Sequence, residues 1–149
     1  MFRKLCSAAG ISVILAIMML VVAVTAVGQA NKSQKQAGGQ SIIEVTTIPP
    51  AGGGPGRQEL IAGRVNIADP GKYRLCIFSH TDRWYVQPYV AAPFSDIDPK
   101  NGRWQTRIHL GDEYAVLLVK PSYSPQATML ELPRIGGDVV AIAREAARQ

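Results

Sequence analysis

Residues 83–111 hold both tryptophans of the chain and two of its five tyrosines, spaced by loop residues and not at helical intervals. Trp84, Tyr85 and Tyr89 come before Pro93 and Pro99, and Trp104 follows the Asn101-Gly102 pair. Aromatic rings with polar tips offer flat apolar faces to the C–H edges of sugar rings, and neighbouring amides and charges can bond the hydroxyls. On that chemistry the ligand-binding candidates are Trp84, Tyr85, Gln87, Tyr89, Arg103 and Trp104, with Asp96 and Gln105 as further polar partners. Core packing competes for Trp104, which alternates in step with Thr106, Ile108 and Leu110. Trp84 and Tyr85 are adjacent, so in a strand they face opposite sides and one of them points outward.

Other chemistry finds little support. His80 and His109 come with no second cysteine at metal-ligand spacing, so no metal or cofactor is expected. The carboxylates sit mostly beside Pro or Gly, and no Gly-x-Ser-x-Gly elbow occurs. No catalytic residue is assigned, and the chain is not expected to be an enzyme. The glycine-rich residues 51–57 lack the Lys-Ser/Thr pair of a phosphate loop, since Arg57-Gln58 follow Gly56. Residues 96–102 have the wrong spacing for a calcium loop and lack its distal glutamate. They read as a turn in which aspartates cap backbone N–H groups.

These candidates need a scaffold, and 149 residues allow one domain plus a leader. Residues 5–28 carry no charge and follow Arg3-Lys4, the layout of an export signal. The run is also long enough to span a bilayer as an uncleaved transmembrane helix. Residues 1–28 are therefore read as a signal peptide or membrane anchor, 29–40 as a flexible linker, and 41–149 as the folded domain. That places the domain outside the cytoplasm: periplasmic, secreted or anchored at the cell envelope, with membrane contact only through the N-terminal segment. Setting aside Arg3, Lys4, Lys32 and Lys35 leaves 12 basic against 11 acidic residues, a net charge of +1. So balanced a domain is a poor nucleic-acid binder. Cys6 lies in the apolar leader, so no disulfide with Cys76 is expected, and Cys76 reads as a buried, inert thiol.

Within 41–149, β-branched and aromatic runs predict strands near 42–48, 60–67, 73–79, 84–86, 104–110 and 114–119. In 73–79 the face formed by Tyr73, Leu75 and Ile77 is the better core candidate. Asn101-Gly102 predicts a turn with positive φ, and residues 83–111 read as a bent aromatic hairpin. His109 falls on the polar face of its strand and is expected in solvent. The tail suits either an amphipathic helix capped by Asp138 or a closing strand, and the strand would complete a sheet. The expected fold is all-β: an immunoglobulin-like antiparallel β-sandwich of about 6–8 short strands behind an N-terminal signal or anchor helix.

Several short motifs carry a resemblance. Ile48-Pro49-Pro50, Gly63-Arg64-Val65, Tyr73, Trp84 with Pro88, the bend from Ile97 to Trp104, Gly111 with Tyr114-Ala115, and Tyr123-Ser124-Pro125 follow one another in order. Together they resemble a small bacterial family of immunoglobulin-like accessory domains associated with secreted carbohydrate-active enzymes, over most of residues 42–142. The resemblance implies a non-catalytic module that binds a polysaccharide or envelope glycan. The second expectation is a structural or protein-interaction domain at the cell envelope, since aromatic residues and Arg are favoured at protein interfaces too.

Overall fold

Strands form where β-branched and aromatic residues cluster, and the turns fall at Pro, Gly, Asn and Asp. The computed structural model describes residues 41–149 apart from Pro55. The signal or anchor segment 1–28 and the linker 29–40 lie outside the described residues. The strands are β1 (Ile43–Thr47), β2 (Gln58–Val65), β3 (Arg74–His80), β4 (Trp84–Gln87), β5 (Phe94–Ser95), β6 (Arg103–His109), β7 (Glu113–Val119), β8 (Thr128–Met129) and β9 (Val139–Ala146). A short 3-10 turn (Pro70–Lys72) precedes β3, and no α-helix occurs among the described residues. The count of nine exceeds the expected range because β5 and β8, two residues each, are too short to show a period in sequence. The tail is strand β9 and not a helix, paired along β7.

All strand pairs are antiparallel and form two sheets. One has the order β1-β2-β6; the other runs β8-β4-β3-β7-β9, with β5 also pairing β3. β4 and β6 therefore belong to different sheets. The expected aromatic hairpin is corrected: Trp84 pairs across to His80, whereas Trp104 pairs with Gly63. The turn chemistry at its bend is present. Gly102 has φ +70°, its N–H donates to the Asp98 carbonyl, and the Asp98 carboxylate accepts the Lys100 N–H at 2.8 Å.

Between the sheets, Ile43, Ile61 and Val65 of the smaller sheet meet Leu75, Ile77, Val116 and Leu118 of the larger, with Trp104, Ile108 and Tyr114 filling the middle. Gly63 makes room for the Trp104 indole. A Cβ there would fall 2.6 Å from Cζ2 of the ring and against the Glu44 carbonyl. The buried Tyr114 hydroxyl donates to the Pro50 carbonyl (2.9 Å) and accepts from the Gly111 N–H (3.1 Å), tying the start of β7 to the chain leaving β1.

The outer face of the larger sheet is also covered. Cys76, Phe78, Trp84, Val86, Ala115, Leu117 and Val119 form a second apolar cluster, over which Tyr123, Met129 and Leu132 pack from residues 120–138. The expectation of a single core face on β3 is thereby corrected, because Cys76 and Phe78 are as buried as Leu75 and Ile77. Cys76 is a free, buried thiol, and desolvation pushes its pKa up to about 12.

Candidate functional site

The chain leaves β4 through a cis Gln87–Pro88 peptide and passes Tyr89 over the far end of the smaller sheet, where β2 starts and β6 ends. There a polar network crosses between the sheets. Gln87 is 3% exposed. Its amide nitrogen donates to the Ser79 hydroxyl (2.7 Å), and its amide oxygen accepts from the His109 backbone N–H (3.0 Å) and lies 3.1 Å from His109 Nδ1. An amide oxygen only accepts, so Nδ1 carries the imidazole proton and Nε2 is left as an acceptor. Gln58 supplies the donor: its Nε2 lies 3.2 Å from His109 Nε2 and donates to the Tyr89 hydroxyl at 3.0 Å. The Tyr89 ring meets the His109 ring edge-on, with centroids 5.8 Å apart.

Tyr89 is thus fixed at its hydroxyl and along one flank, yet remains 55% exposed. Exposed Val90 continues the rim. A ring held in place before a ligand arrives loses little side-chain entropy on binding. Tyr85, within β4, is 36% exposed and donates its hydroxyl to Asp82 (2.8 Å), which also accepts from Arg83. The Tyr85 hydrogen bond, seconded by Arg83, holds the Asp82 carboxyl at about 2, and the same bond raises the Tyr85 phenol above its usual range.

The sequence candidates do not share one surface. Trp84 is 4% exposed, with the His80 ring 4.9 Å away and the Arg144 guanidinium 5.3 Å from its own ring. Of the adjacent pair, Tyr85 is the outward member. Trp104 is buried between the sheets, its Nε1 without a hydrogen-bond partner among the described residues. Arg103 is exposed on the outer face of the smaller sheet, where Asp96, Gln105 and Arg64 also border a shallow depression of about 680 Å³. Only Gln87 and Tyr89 are brought together, both against His109, and Gln87 supports the rim from within, its polar atoms already engaged. Tyr85 faces out toward the other end of β4, bonded to Asp82.

Two residues escaped the sequence reading. Gln58 sits at the start of β2, and nothing in its neighbourhood marks it as the partner of Tyr89. His109 does not lie free in solvent as its alternation implied. It is half-buried because β4 crosses above it, a consequence of sheet packing that strand periodicity does not encode. Among the described residues, no group of three or more His, Cys, Asp or Glu side chains is placed to hold a metal ion.

Compared with known proteins, the chain matches no family model, no curated protein and no solved structure. The meaning of the site rests on its geometry.

Proposed function

We propose that residues 41–149 form a non-catalytic, immunoglobulin-like binding module, exported behind residues 1–28, that takes a glycan on the rim at Tyr89. Two features support the immunoglobulin-like assignment. The order β1-β2-β6 against β4-β3-β7-β9 corresponds to A-B-E against C′-C-F-G. The Tyr114 hydroxyl at the start of β7 bonds to backbone three residues upstream, as a tyrosine corner does.

The observation that carries the glycan reading is Tyr89. Among the described residues it is the most exposed aromatic ring. Sugars are bound by such rings with amide groups beside them, and Gln58 is the amide at hand. A polysaccharide or peptidoglycan fragment is the ligand class this rim suits.

Both tryptophans are buried, so indole fluorescence is a poor reporter for this rim. The test is NMR titration of the full chain in detergent micelles with β-glucans and peptidoglycan fragments. Binding should shift the ring signals of Tyr89 and His109. Tyr89→Ala should weaken it at least about tenfold, equivalent to ~1.4 kcal/mol. Tyr89→Phe keeps the ring and should cost less. No shift at Tyr89 or His109 with any glycan would refute the reading.

A further inference from the structure

The smaller sheet ends at β6, and the alternation of its hydrogen bonds says which backbone groups lie on the free edge. The Val65 N–H donates to the Gly102 carbonyl, and β6 pairs with β2 in continuous register from that point. In an antiparallel ladder the bonded and non-bonded positions alternate. The backbone groups of Trp104, Thr106 and Ile108 therefore point toward β2, and those of Arg103, Gln105, Arg107 and His109 point away.

The two ends of this edge are closed. The Arg103 N–H donates to the Asn101 side chain and its carbonyl accepts from the Asp98 N–H. At the other end the His109 N–H is taken by Gln87. Between these two plugs, the N–H and C=O of Gln105 and Arg107 have no partner among the described residues. Bare backbone on a sheet edge is a template for another strand.

We propose that this gap on β6 accepts an extended, acidic segment of another protein by strand addition. Charge selects the occupant. Arg103, Gln105 and Arg107 share the outer face of the strand and are exposed, so acidic side chains alternating along an added strand would meet Arg103 and Arg107. The chain's own residues 29–40 suit the gap poorly, since they carry Lys32 and Lys35 and no acidic residue. A second copy of β6 would bring its own Arg103 and Arg107 onto the same face. Alternation also sets the added strand's other side chains: small or apolar, facing Thr106.

Amide hydrogen exchange of the full chain in detergent micelles, read by NMR, tests this directly. In the free chain the Gln105 and Arg107 amides should exchange fast, while Trp104, Thr106 and Ile108 are slowed by β2. A short peptide alternating Glu with Val should slow Gln105 and Arg107 at least about tenfold, and one alternating Lys with Val should not. Arg103→Glu combined with Arg107→Glu should exchange the preference for the two peptides. Gln105→Pro, which removes an edge N–H without breaking the β2 ladder, should abolish protection at Arg107. The proposal is overturned if the two amides stay fast with the acidic peptide, or if both peptides protect equally. Amides already slow in the free chain also overturn it: concentration dependence would put a second copy on the edge, and independence would put the chain's own N-terminal stretch there.

Discussion

Replacing Gln87 with Met should destabilise the domain by far more than a surface change at the same distance from the rim. Met fills a similar volume and is flexible enough to avoid leaving a cavity, so the loss isolates hydrogen bonding. Four contacts disappear: the one to Ser79 at 2.7 Å, the two to His109 at 3.0 and 3.1 Å, and a long one to the Tyr85 carbonyl at 3.4 Å. Ser79 is 3% exposed, so its hydroxyl is stranded away from water, while half-buried His109 recovers part of its bonding from solvent. An orphaned buried group costs about 1–3 kcal/mol, so the sum is roughly 2–4 kcal/mol. For a domain of this size that corresponds to a fall in Tm of roughly 10–20 °C. Thermal unfolding by circular dichroism, with exposed Gln105→Met as control, measures it. The Tyr89 and His109 ring signals should move in the same variant, because His109 loses its seat. A loss below ~1 kcal/mol would refute the reasoning, since it would mean that water or a rearranged neighbour satisfies both stranded groups.

Two further outcomes follow from titration and burial. Asp82 has a folded pKa of about 2, below its unfolded value, so its contact with Tyr85 and Arg83 contributes stability above pH ~4 that is lost as pH falls toward 2. Asp82→Asn should flatten that acid limb, and it should return the raised Tyr85 phenol titration, followed by ultraviolet difference absorbance, toward its usual range. Cys76, fully buried with its thiol pushed up to about 12, should resist maleimide at pH 8 in the native Cys6→Ser chain and react on denaturation; labelling of that folded variant at the rate of a small free thiol would contradict its burial.

Strand identities were legible where local chemistry decides them. β1, β2, β3, β6 and β7 fall within a few residues of the β-branched runs, and Asp98 and Gly102 make the turn their types require. Trp104 sits in the core as its alternation with Ile108 implied. What could not be read depends on contacts distant in sequence. Period two puts Phe78 on the less favoured face of β3 and leaves open which of Trp84 and Tyr85 points out; Phe78 and Trp84 are buried because residues 120–138 fold back over them. That cover has no repeating pattern of its own. Its two-residue strand β8 is located only by pairing with Trp84 and Tyr85. The outward ring of β4 was partly visible: adjacency implied that either Trp84 or Tyr85 faces out, but only the packed cover decides for Tyr85. Gln87 carried no mark of burial, because a glutamine before proline reads as a strand end, and its partners lie eight and 22 residues away.

The antiparallel register of the smaller sheet also gives the domain a polarity. Ser41 enters beside Asn66, where β2 ends, and the Tyr89 rim stands where β2 begins, at Gln58. The eight residues of β2 separate these two poles by roughly 25 Å. A chain held from its N-terminal side is therefore gripped at one pole and presents its exposed tyrosine at the other. Fusions or labels that must spare the rim belong on the Ser41 side. The C-terminal residues, bonded to Pro49 and Ala51 through Arg148, lie toward the rim's pole, so an addition there would crowd the surface proposed for binding.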